Sequence, residues 1–185
     1  MSDSLAPARF TDAEFERMVA RGAFAGLGRI ELRRGALHRM SPQFAPHALA
    51  KMRLVFALST ALARAGLPLQ VVSEATVKFA SGFEPMPDVF LWEGGVGRGP
   101  FAGAEVRLVI EVADTTLADD LGEKREDYAK AGLAEYWVAD LAGARFHCFA
   151  GPGPEGFAQS WSAPFAEAVG SATLPGLLLP AATLG

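Results

Sequence analysis

The stretch Arg107-Leu108-Val109-Ile110-Glu111-Val112 decides how the rest of the chain is read. It is a short, continuous apolar run, which is the pattern of a strand covered on both faces rather than one. One carboxylate stands inside it. A lone Glu in such a strand is costly to bury unless something compensates its charge. Glu111 is therefore either a metal ligand or catalytic acid, or a residue at a strand end whose side chain escapes to solvent.

Working outward, Pro87-Asp88 opens a second short apolar strand, Val89-Phe90-Leu91, and a Gly-rich loop from Glu93 to Gly103 joins the two. Pro-Asp is a common turn pair. Strands joined by such a loop can lie side by side, which would bring Asp88 and Glu111 to one sheet edge. Two hard oxygen ligands suit Mg²⁺ or Mn²⁺, with water and a substrate phosphate completing the shell. After Glu111 the spacing predicts a helix from Asp119 to Ala131, stopped by Gly132. Leu121, Lys124 and Tyr128 fall on one face of it, so Lys124 either turns toward the sheet with its apolar neighbours or snorkels outward. Asp119 and Asp120 read as helix-start residues complementing the dipole, Asp114 as a turn residue, and Arg125 and Lys130 as a solvated face.

Upstream, Thr11 and Glu14 form a capping-box pattern for a helix from about Asp12 to Ala20. Arg29 to Met40 reads as two strands around a turn at Gly35, broken by Ser41-Pro42. A long helix from about Pro46 to Ala65 follows, with Leu49, Met52, Val55, Phe56, Leu58 and Leu62 at helical spacing and Gly66 as its stop. Leu69 to Phe79 is β-rich. Glu31, between Ile30 and Leu32, faces away from both in a strand. His47 reads as an exposed residue of a first helical turn. Downstream, Glu135–Ala139 and Ala144–Phe149 are strands, Tyr136 and Trp137 core aromatics, and the Gly/Pro/Ala-rich tail adds a strand near Trp161 and an apolar segment at Leu174–Leu179. The whole is an α+β domain with a mixed central β-sheet flanked by helices, one domain over residues 1–185 with its core at about 10–180.

Composition bounds the function. The chain has 185 residues, half of them hydrophobic, which is globular rather than disordered. No apolar run is long enough for a bilayer, and MSDSLAPARF has no secretory pattern. One cysteine, Cys148, excludes an internal disulfide framework and a Cys-based zinc site. Set between Phe146 and Phe149 it reads as a packed, inert thiol, in keeping with a reducing cytoplasm. The net charge of −4 and the lack of a basic stretch beyond Arg33-Arg34 count against strong nucleic-acid binding.

Several segments together resemble the Uma2 family, a branch of the PD-(D/E)XK restriction-endonuclease-like superfamily formerly called a domain of unknown function. They are Val109-Ile110-Glu111-Val112-Ala113-Asp114-Thr115-Thr116-Leu117, Asp120-Leu121-Gly122-Glu123-Lys124, Tyr128-Ala129-Lys130-Ala131-Gly132 and Glu135-Tyr136-Trp137-Val138. Pro87-Asp88-Val89 and Glu31-Leu32…Gly35…Met40-Ser41-Pro42…His47 also match, so the resemblance runs from about Phe10 to Leu174. It implies a restriction-endonuclease-like fold and a Mg²⁺- or Mn²⁺-dependent endonuclease acting on DNA. Asp88 and Glu111 would bind the metal, and Lys124 would orient or activate the attacking water. Glu31 would be the acidic residue of the N-terminal part and His47 an additional site residue. The superfamily lysine usually stands two residues after the Glu, where this chain has Ala113; Lys124 matches the Uma2 placement on the next helix. The superfamily often dimerises, so a homodimer is expected to use exposed aromatics such as Phe101 and Trp161. Two other readings stand beside this one: a nuclease fold without catalysis acting as a binding or assembly module, and a hydrolase of a small phosphate ester, whose restricted substrate needs no basic surface.

Overall fold

The computed structural model describes residues 7–40, 42–79, 82–95 and 97–185; the expected break at Ser41 and the first six residues lie outside them. Helix α1 (Asp12–Ala20) starts on the Thr11–Glu14 capping box. Strands β1 (Ile30–Arg33) and β2 (Ala36–Arg39) form a hairpin whose two turn residues, Arg34 and Gly35, have φ of 51° and 75°. Two left-handed residues are what a tight two-residue hairpin demands, and Gly supplies one without strain. Helix α2 (Ala45–Ala65) has Pro46 in its first turn and ends on Gly66. Then come β3 (Gln70–Ser73), β4 (Val77–Lys78), β5 (Phe83–Glu84), β6 (Val89–Trp92), β7 (Phe101–Ala102) and β8 (Val106–Ala113). Helices α3 (Leu117–Leu121) and α4 (Glu123–Lys130) lead to β9 (Glu135–Asp140), β10 (Arg145–Gly153) and β11 (Gly156–Pro164). The short pair β12 (Val169–Gly170) and β13 (Leu178–Leu179) closes the chain.

Six strands form the main sheet in the order β11-β10-β9-β8-β6-β3. Only β8 and β9 run parallel; the other neighbours are antiparallel. A parallel pair needs a crossover, and α3 with α4 provides it. Strand β8 is central, and every residue from Leu108 to Ala113 is buried, as its continuous apolar run predicts. Side chains alternate along it. Leu108, Ile110 and Val112 pack with Leu54, Leu58 and Leu62 of α2 and with Trp137. Val109 and Ala113 pack on the opposite face with Tyr128, Leu133 and Tyr136. Each fully buried Leu contributes about 2 kcal/mol. This alternation sends Glu111 to the α4 face. Tyr136, Trp137 and Cys148 are buried in the core, and burial pushes the Cys148 thiol up, so it stays protonated and inert.

A three-stranded antiparallel sheet, β2-β1-β5, stands beside the main one. Arg33 ties it to the crossover helices through two hydrogen bonds to Asp119, of 2.7 and 2.9 Å.

Four expectations are corrected. The helix expected over 119–131 is two helices broken at Gly122 (φ −101°, ψ −112°), where a Cβ would lie 2.7 Å from the Ala118 carbonyl oxygen. The β-rich segment 69–79 is interrupted at Glu74, whose φ is 53°. On α2 the buried face carries His47, Ala50, Lys51, Leu54, Leu58, Ala61 and Leu62, while Leu49, Met52 and Phe56 face outward. Two polar residues of α2 are drawn inward by the carboxylates below, which turns the expected apolar stripe partly to solvent. Phe101 and Trp161 are not exposed: Phe101 packs edge-on against Phe90 and Trp92, and Trp161 packs against the core. Among the described residues no helix is long and apolar enough to cross a membrane.

Candidate active site

Glu111 is only 2% exposed, because its strand is covered on both sides. Its Oε1 is ion-paired with Lys124 Nζ and accepts a hydrogen bond from the Tyr128 hydroxyl, both at 2.9 Å. Its Oε2 accepts the Asp88 amide at 3.3 Å. Burial pushes the carboxyl up to about 8; Lys124 pulls it back, and the charges of Asp88 and Asp120 push it further up. Ionising Glu111 would thus put more negative charge into the site than one lysine offsets.

Asp88 stands between Pro87 and β6, next to the middle of β8 through the β6–β8 pairing. Its Oδ2 accepts the Val112 amide at 2.9 Å and lies 3.0 Å from His47 Nε2. Its Oδ1 accepts from Gln43 Nε2 at 2.9 Å. Burial works to raise this carboxyl, but His47, the Val112 amide and Lys124 outweigh it and hold it below its ordinary value. Asp88 is a carboxylate at neutral pH.

Lys124 is buried, which works to strip its proton, yet Glu111, Glu31 and Asp120 keep it firmly protonated. Its second carboxylate, Asp120 Oδ1, is 3.6 Å away, one helical turn back across the Gly122 break. Lys124 faces inward, but not on the continuous stripe with Leu121 that the sequence suggests; the break lets Lys124 and Tyr128 converge on Glu111 from α4 alone. Glu31 is buried on β1 at the same cleft, where its Oε2 accepts the Met86 amide at 3.4 Å. His47 is buried, not exposed, because α2 lays its first turn over Asp88.

All five residues singled out in the sequence line one cleft of about 180 Å³. They come from β1, α2, the Pro87 turn, β8 and α4. Three others touch these residues or the cleft without being singled out. Asp120, read as a helix-start residue, is buried and accepts from Thr116 Oγ1 at 2.5 Å; its spacing of four from Lys124 was the available signal. Tyr128, read only as sheet-facing, donates to Glu111. Gln43 lies just before α2 and has no sequence signal at all; Lys51 donates to its Oε1 at 2.6 Å and orients it toward Asp88.

Arg33 and Arg34, the basic pair, spend their charge within the fold. Arg33 is buried against Asp119, and Arg34 Nε is 2.6 Å from Asp127 Oδ1. Arg125, expected on a solvated face, lies over the Phe149 ring at 5.1 Å.

The donor chemistry fits a hard divalent cation. Mg²⁺ is commonly held by one or two carboxylates, water and phosphate oxygens supplying the rest. Asp88 and Glu111 are such a pair, and a bound cation would offset the cost of ionising both. Among the described residues no group of three or more His, Cys, Asp or Glu side chains is gathered as a metal cage.

Residues 12–182 match the Uma2 family, described as "Putative restriction endonuclease". The chain belongs to the Uma2 family. Its fold is shared with a crystal structure described as "a putative nuclease belonging to DUF820 from Anabaena variabilis ATCC 29413". That similarity has a TM-score of 0.67 at 12% identity, over 84% of this chain and 88% of the other. No curated protein matches the chain. In this Uma2 chain the position two residues after Glu111 is Ala113, buried in the core, so no strand lysine competes with Lys124 for the carboxylates.

Proposed function

We propose that the cleft hydrolyses phosphodiester bonds of DNA with a divalent metal, Mg²⁺ or Mn²⁺, held by Asp88 and Glu111. The observation that carries this reading is the convergence of two buried carboxylates and a buried lysine, with 2.9 Å between Lys124 Nζ and Glu111 Oε1. The metal, when bound, supplies Lewis acidity and a water of lowered pKa. The chain supplies the rest. Gln43, His47 and the Val112 amide fix the Asp88 carboxylate, and Tyr128 fixes Glu111. Lys124 is too firmly protonated to serve as a base; its ammonium orients the attacking water and offsets charge developing on the phosphate oxygens. Arg39, exposed at the cleft and without an ion-pair partner among the described residues, offers a contact to a flanking phosphate.

A second reading, a small phosphate ester as substrate, is favoured by the modest cleft volume and by the internal pairing of Arg33 and Arg34. The test is calorimetric titration with Mg²⁺ and Mn²⁺ beside a DNA-cleavage assay, on wild type and on the Asp88→Ala/Glu111→Ala double variant. Binding and cleavage that both vanish in the double variant support the nuclease. Binding with cleavage only of nucleotide-sized esters selects the second reading. A wild type that binds neither ion sinks both and leaves a non-catalytic binding module.

A further inference from the structure

A second cavity, of about 470 Å³, lies between α1 and the Gly99–Phe101 segment. Its walls are apolar: Phe15 and Val19 from α1, Ala75 before β4, and Pro100 and Phe101. Val19 is 53% exposed. The same cavity is lined by Glu84, one of the most deeply buried charged side chains, 1% exposed. Glu84 Oε1 has no hydrogen-bond partner among the described residues. The nearest cation, Lys78 Nζ, is 3.9 Å away and hydrogen-bonds Glu16 instead. A buried acceptor left without a donor is unfavourable, and the Glu84 side chain that carries it lines the apolar groove.

We propose that this groove binds a small organic amine, its hydrocarbon body on Phe15, Val19 and Phe101 and its ammonium donating to Glu84. The proposal concerns a place apart from the Asp88–Glu111 cleft and does not rest on the activity assigned there. An ammonium carries three donors and no acceptor, so it can satisfy Glu84 Oε1 and reach Glu16 at the rim. A hard metal ion is a poor match, since it takes about six oxygens and the groove offers two carboxylates set among apolar walls. A carboxylate ligand would meet Glu84 and Glu16 with like charge.

The test titrates the protein at pH 8, where Glu84 is ionised, with hexylamine, with hexan-1-ol as the neutral isostere, and with hexanoate, following the Val19 and Ala75 methyl signals by NMR. Hexylamine is expected to shift both methyls saturably, at least tenfold more tightly than hexan-1-ol, with no saturable shift from hexanoate. Glu84→Gln is expected to abolish the tenfold preference. Val19→Arg, at an exposed helix position that the fold tolerates, lays its own chain and cation over the groove and is expected to weaken hexylamine at least tenfold. Asp88→Ala is expected to bind hexylamine as the wild type does. Equal affinities for hexylamine and hexan-1-ol in the wild type would overturn the proposal. So would unmoved methyl signals, undiminished binding by Val19→Arg, or loss of binding in Asp88→Ala.

Discussion

Lys124 is the only cation within 4 Å of Glu111 among the described residues, so its charge supports the fold as well as any chemistry. Removing one partner of a buried ion pair leaves the other uncompensated, at a cost of about 3–5 kcal/mol. Lys124→Met is expected to lower stability toward that range in urea unfolding at pH 9, above the Glu111 value of about 8, and to abolish cleavage. Unchanged stability would show that Glu111 takes up a proton at little cost. Glu84 gives a prediction with a definite sign. Burial, then Glu16, raise its carboxyl from 4.5 to about 7, with Lys78 opposing and Asp12 adding to the rise. Between those values the folded state binds more protons than the unfolded one, so stability falls as pH rises from about 4.5 through 7. Glu84→Gln has no proton to lose. Its melting temperature is expected to drop less than the wild type's between pH 5 and pH 8, by roughly 2–4 °C for each kcal/mol regained. Parallel slopes in thermal melts would refute the assignment. Glu111 was legible in the sequence because a carboxylate inside an apolar strand breaks a pattern. His47 and Gln43 break none; their place depends on where α2 lies over Asp88, which is set by contacts distant in the chain.

The elements show the same division. The central strand β8, the capped α1 and the Arg34-Gly35 hairpin are written in local pattern: a continuous apolar run, a capping box and a turn glycine. The outward face of α2 is not, since Leu49, Met52 and Phe56 repeat at helical spacing as well as Leu54, Leu58 and Leu62 do. The division between α3 and α4 is also hidden, because a glycine in a helical pattern is compatible with continuity. Gly122 is where the sequence and the structure meet on this point. A methyl group there would press on the Ala118 carbonyl oxygen at 2.7 Å, and relieving that contact means moving α4 against the sheet. Gly122→Ala is expected to cost about 1–3 kcal/mol, measured as a lower urea midpoint. It is expected to reduce cleavage further than the lost stability accounts for, because Lys124 and Tyr128 both ride on α4. Wild-type cleavage with intact stability would show that the break has no part in placing the lysine.

At the scale of the molecule the decisive quantity is where charge remains unspent. The chain carries a net −4, and Arg29, Arg33 and Arg34 each pair with carboxylates within the fold. Among the cleft's arginines only Arg39 lacks such a partner among the described residues. A duplex that engages this cleft therefore gains few phosphate contacts. The logarithm of its affinity is expected to fall with the logarithm of salt concentration with a slope of about −1 to −2, since each neutralised phosphate contributes about −0.9. Fluorescence anisotropy over a salt series measures it; a slope near −5 would require a basic surface assembled from more than one chain. The two halves of the cleft also differ in how far apart their parts lie along the polypeptide. Tyr128 and Glu111 are 17 positions apart, whereas His47 and Asp88 are 41 apart. Closing the longer loop loses more chain entropy. During refolding, amide protection is therefore expected to appear in the crossover from β8 through α4 before α2 settles onto Asp88, so the cleft acquires its ammonium before its imidazole.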